Sequence, residues 1–84
     1  MVQERVRHVI GSVFELAPAD LPELLGPQTL PGWTSLRHLR IVIELQKEFG
    51  IEIDPDVVPE LLSEQDMTSY VTDRLRERAG QPAI

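Results

Sequence analysis

The stretch Ser35-Leu36-Arg37-His38-Leu39-Arg40-Ile41-Val42-Ile43-Glu44-Leu45-Gln46-Lys47-Glu48-Phe49, followed by Gly50, decides the fold. Stepped at about 100° per residue, its apolar residues spread over more than half of a helix circumference. Arg37, Arg40, Glu44, Lys47 and Glu48 fall in one narrow stripe. The β-branched run Ile41 to Ile43 favours a strand locally, but the charged residues around it and the length of the segment decide for helix. Gly50 stands where a C-terminal glycine ends a helix. So apolar a helix must pack against several neighbours at once, which predicts a central helix with a single charged stripe in water.

Outward from this helix, Val2, Val6, Val9, Ile10, Val13 and Ala17 recur at steps of three and four, predicting a first amphipathic helix stopped by Pro18. Between Pro18 and Trp33 lie Pro22, Pro27, Pro31, Gly26 and Gly32, so this segment reads as a long loop with one helical turn around Leu21 to Leu25. After Gly50, Ile51-Glu52-Ile53-Asp54 alternates like a strand, but Pro55 and Pro59 follow and no partner strand is in sight, so it reads as an extended connector. Val57, Val58, Leu61 and Leu62 predict a short third helix starting near Pro55. Ser63 with Asp66 three residues on marks the start of a fourth, whose stripe is Met67, Tyr70, Val71 and Leu75 and whose last turns carry Arg74, Arg76 and Arg78.

The expected fold is therefore all-α: three longer helices, one short third helix and a long loop between the first and second. Residues 1–79 are expected to form one domain and residues 80–84 a flexible tail. The 84 residues include no cysteine, which removes disulfides and thiolate metal sites. No segment approaches the roughly 18 apolar residues of a membrane span, and Gln3, Glu4, Arg5, Arg7 and His8 interrupt the first apolar residues as no signal peptide would. The expected location is the cytoplasm. A net charge of −6 argues against nucleic acid and anionic membranes as partners. The acids concentrate at Glu52, Asp54, Asp56, Glu60, Glu64 and Asp66, which reads as a solvated face or, more sharply, as a docking surface.

Catalytic chemistry finds few candidates. His8 and His38 lie on different predicted helices with no carboxylate at metal-ligand spacing, and read as ordinary surface or boundary histidines. Asp54 and Asp56 are paired carboxylates without the depth needed to shift them. No nucleophile triad and no glycine-rich phosphate loop is present, so the chain reads as no enzyme. What remains is Trp33-Thr34-Ser35-Leu36. Its hydroxyls suit a helix cap, and the same place suits a phosphodiester, because free amides and the positive end of the helix dipole favour negative charge. Position alone leaves both open.

Gly32-Trp33-Thr34-Ser35-Leu36 running into Val42-Ile43-Glu44-Leu45-Gln46-Lys47-Glu48-Phe49-Gly50-Ile51-Glu52-Ile53 resembles the core of the acyl carrier protein family. That family shows Asp-Ser-Leu, an apolar helix ending in Leu-Glu-Glu-Glu-Phe-Gly, and an Ile-x-Ile connector, with the same spacing from serine to phenylalanine. The resemblance implies a four-helix bundle in which Ser35 carries a 4'-phosphopantetheine arm whose thiol holds an acyl unit. It implies as partners a phosphopantetheinyl transferase and the enzymes that load and unload the arm, met by a monomer through Thr34, Leu36, Arg37, Arg40 and Glu44. It further implies Leu45, Ile53, Leu61 and Tyr70 as acyl-cleft positions, each of which reads equally as ordinary core, and Trp33 as a loop anchor before an acyl contact.

The chain departs from the pattern at Thr34, where the family has Asp, and at Arg37, His38 and Arg40, where its recognition helix is acidic. From Thr34 to Phe49 three bases against two acids give a local charge of +1. These departures, with Trp33, point to a dedicated carrier of a specialised pathway such as polyketide biosynthesis. The alternatives are an unmodified helical interaction module in which Ser35 is only a cap, and a peptidyl carrier.

Overall fold

The structure, a computed structural model, describes residues 1–80; of the expected 80–84 tail, residues 81–84 lie outside the described residues. The all-α class holds. The described residues form α1 (Val2–Phe14), α2 (Ser35–Phe49) and α3 (Glu64–Gly80), with 3₁₀ turns at Pro18–Asp20 and Val58–Glu60 and no strand among them.

Helix α2 has the bounds its sequence predicts, from Ser35 to a Gly50 in the left-handed conformation (φ 64°) whose N–H donates to the Gln46 carbonyl. Helix α1 stops at Phe14 rather than reaching Ala17. Glu15 turns left-handed (φ 57°), and its N–H and that of Leu16 donate back to Ser12 and Gly11, closing the last turn. Ala17 is extended (ψ 152°), as a residue before proline prefers to be. The 3₁₀ turn of the following loop lies at Pro18–Asp20, ahead of the expected Leu21 to Leu25, and a second turn closes at Gly26, whose carbonyl accepts from Thr29 and Leu30 N–H.

The expected short third helix is instead the 3₁₀ turn Val58–Glu60. Its bonds run between residues three apart, Val58 to the Pro55 carbonyl, Glu60 to Val57 and Leu61 to Val58. Pro59 supplies no N–H, so an α-helix starting near Pro55 would lose the rung from residue 59 to the Pro55 carbonyl. Leu62 N–H is drawn forward to Asp66 Oδ2 (3.2 Å), and Asp66 N–H donates to Ser63 Oγ (3.2 Å), so the cap of α3 takes the residues that would have continued a helix. The Ile51 to Asp54 segment is the expected connector, fixed by Ile53 N–H donating to Gln46 Oε1 (2.9 Å).

Both other helices pack along α1, so α1, not α2, is central. Val6, Val9, Ile10 and Val13 of α1 meet Ile41, Val42, Leu45 and Phe49 of α2 and Met67 and Val71 of α3 in one core. With a single helix alongside it, α2 buries only one flank: Leu36, Leu39 and Ile43 are 70, 50 and 47% exposed. Leu25 and Leu30 anchor the long loop in the core. The loop is also held through Glu64, whose backbone N–H donates to the Leu25 carbonyl (2.9 Å) while its buried carboxylate accepts from Leu25 N–H (3.3 Å) and from Arg7 Nη1. Arg7 in turn donates to the carbonyls of Pro22 and Glu23. Glu64 thus leaves the solvated acidic run to which its sequence neighbourhood assigned it.

Candidate functional site

The start of α2 is assembled by four residues that precede or open the helix. Thr34 is extended (φ −93°, ψ 168°), and its Oγ1 accepts from Arg37 N–H at 3.2 Å, which makes Thr34 the N-cap. Ser35 is the first helical residue, exposed, and among the described residues its hydroxyl makes no hydrogen bond. The reading of Ser35 as a cap is therefore corrected: Thr34 performs that task and leaves the serine oxygen free.

Gly32 has φ 85°, and a Cβ there would stand 2.5 Å from Arg37 Nη1. The bare backbone lets the guanidinium donate to the Gly32 carbonyl at 3.0 Å while it lies 5.0 Å from the centre of the Phe14 ring. Arg37 is exposed, and it ties the loop before α2 to the Phe14 end of α1.

Trp33 packs on Phe14 with ring centres 5.5 Å apart and is half-buried against the core, the anchoring role expected of it. Its indole Nε1–H donates to His38 Nδ1 at 3.0 Å. Since that nitrogen accepts, the neutral ring carries its proton on Nε2, which lies 2.9 Å from the Val58 carbonyl and donates to it. His38 is half-buried, a boundary histidine, and it joins the loop before α2 to the 3₁₀ turn twenty residues later. His8 is exposed, as read from sequence. Among the described residues no group of three or more His, Asp or Glu is placed to hold a metal ion.

These elements enclose an open cleft of about 400 Å³ beside Ser35, lined by Trp33, His38, Leu39, Val58 and Leu62 and mainly apolar. Leu45, Ile53 and Leu61, proposed as acyl-contact positions, are buried in the core and line no part of it. Tyr70 lies elsewhere, its hydroxyl accepting from Asp54 N–H at 3.2 Å. The cleft residues Leu39, Val58 and Leu62 escaped the sequence reading because each fits a core stripe equally well.

Of the other residues expected to meet a partner, Leu36 is the most exposed apolar side chain of α2, and Arg40 is exposed with no hydrogen-bond or ion-pair partner among the described residues. Glu44 reaches Lys47 at 3.6 Å. The first turn of α2 contains no acid. The amides of Ser35 and Leu36 lie at the positive end of the helix, with Arg37 in the same turn and Arg40 in the next, which makes this end of α2 receptive to an anion. No helix of the described residues is long and apolar enough to cross a membrane. No known family model matches this chain, and no curated protein matches it.

Proposed function

We propose that this chain is an acyl carrier: residues 1–79 form a single cytoplasmic carrier domain, and Ser35 bears a 4'-phosphopantetheine arm in a specialised biosynthetic pathway such as that of polyketides. The observation that carries the reading is the division of labour at Thr34-Ser35. Thr34 Oγ1 caps the helix, so the Ser35 hydroxyl is exposed and uncommitted at the first position of a helix whose opening turn carries Arg37 and no acid. A phosphodiester on Ser35 would meet the amides of Ser35 and Leu36, and the mainly apolar cleft beside it offers a resting place for the arm. When attached, the arm supplies a thiol that holds an acyl unit as a thioester, which asks of the chain no acid, base or metal of its own. Under this reading the 3₁₀ turn at Val58–Glu60 takes the place of the family's short third helix, and the monomer meets a phosphopantetheinyl transferase and the enzymes that load and unload the arm.

Coexpression with a broad-specificity phosphopantetheinyl transferase is expected to add the arm to the wild-type chain, read as an intact-mass increase, and Ser35→Ala is expected to abolish it. An unmodified wild type after trials with several such transferases overturns the reading. The exposed row Leu36, Leu39 and Ile43 also suits an unmodified interaction module. That reading gains if the mass never changes while a partner binds Ser35→Ala as well as wild type.

A further inference from the structure

Leu36, Leu39 and Ile43 succeed one another at steps of three and four and so form one row on α2, turned away from the buried Ile41, Leu45 and Phe49. Leu62, 58% exposed, joins this row across the cleft through Leu39. Single exposed leucines call for no account, whereas a continuous row next to a functional site marks an interaction surface. The charges along its border say what it fits. Arg40 and Lys47 lie within about 40° of Leu36 around the helix axis. Arg40 has no partner among the described residues, and Lys47 is 71% exposed while reaching Glu44. The other acid of α2, Glu48, is turned to the α1 flank, where Arg5 Nε holds it at 2.8 Å. A chain of net charge −6 therefore presents, beside Ser35, an apolar row with a cationic border.

We propose that this face docks a protein surface of inverse character: an apolar ridge or helix edged by Asp and Glu carboxylates. It rests on the carrier reading for the partner's role, that of an enzyme acting on the arm, but not for the contact itself. Opposite charges at the border select and steer the partner while the leucine row supplies the buried contact. Nucleic acid and anionic lipid fit the face poorly, because two cations, one of them already paired with Glu44, do not outweigh the chain's overall negative field at the distance of a polyanion. Within the border Arg40 is the specificity residue. Arg37 is not, since its guanidinium is occupied by Gly32 and Phe14.

The test uses the full unmodified chain, isotope-labelled for NMR, with two synthetic amphipathic helices as probes, one of leucine and glutamate and one of leucine and lysine. The glutamate probe is expected to shift the amides of residues 36–47, to weaken with added salt, and to lose about threefold to fivefold in affinity against Arg40→Glu, the effect of one exposed ion pair. Leu36→Ser with Leu39→Ser, both at exposed positions, is expected to abolish the shifts while the far-ultraviolet circular dichroism stays unchanged. Equal or tighter binding of the lysine probe overturns the proposal, as do shifts centred on the acidic segment 52–66. Binding confined to phosphatidylglycerol vesicles reassigns the face to a membrane, and concentration-dependent broadening of the free chain at these residues reassigns it to a second copy; either result overturns the proposal. Repeating the titration with Ser35→Ala, alongside the intact-mass measurement, separates failure of the docking face from failure of the Ser35 reading.

Discussion

Glu64 is 2% exposed and shares its charge with Arg7, whose side chain remains 23% exposed. Removing one partner of such a pair leaves a carboxylate stranded in the interior, a cost of about 3–5 kcal/mol when both groups are buried. Because Arg7 is partly open to water, Arg7→Ala is expected near the lower end, about 3 kcal/mol, measured by urea denaturation at neutral pH. The pair Arg5 and Glu48 is the natural control, with side chains 49% and 36% exposed. Arg5→Ala, which also removes the guanidinium from the Phe49 ring, is expected to cost about 1–2 kcal/mol by the same measurement, still below Arg7→Ala. No pattern in the sequence marked Glu64 as different from its five acidic neighbours between Glu52 and Asp66. Its burial follows from the path of a loop whose Leu25 lies 39 residues earlier, and periodicity carries no information about that path.

At the scale of elements, the opening of α2 rests on Thr34, so Thr34→Ala is expected to lower stability by about 1 kcal/mol and Ser35→Ala by less than about 0.5 kcal/mol. Thermal denaturation of the two variants decides it; a larger loss at Ser35 would return the capping role to the serine. The bounds of α2 were legible because each end carries its own local signal, a hydroxyl before the first turn and a glycine after the last. The end of α1 was not, because Glu15 adopts a left-handed conformation that its side chain does not advertise. The turn at Val58–Glu60 was misread for the opposite reason. Val57, Val58, Leu61 and Leu62 have helical spacing, but Pro59 and the cap of α3 claim the backbone groups a helix would need.

At the scale of the molecule, the number of neighbours around each helix is what the amphipathic pattern leaves undetermined. The apolar breadth of α2 was legible and suggested a central helix, yet α1 holds that place and the surplus leucines face out beside Ser35. The candidate serine was legible from its position and spacing, whereas the cleft next to it required a contact across twenty residues of chain. That contact predicts the behaviour of a variant. His38→Ala leaves the Trp33 indole N–H and the Val58 carbonyl without their partner, at a cost of about 1–3 kcal/mol. Hydrogen exchange is expected to speed up at residues 33–35 and 58–62 while the amides of α1 keep their protection. Trp33 is the sole tryptophan of the chain, and its indole nitrogen is bonded within the wall of the Ser35 cleft. The molecule thus carries its own optical reporter at the place that matters: the ultraviolet emission of one ring follows whatever enters, leaves or rearranges beside Ser35, with no dye attached and no second tryptophan to blur the signal.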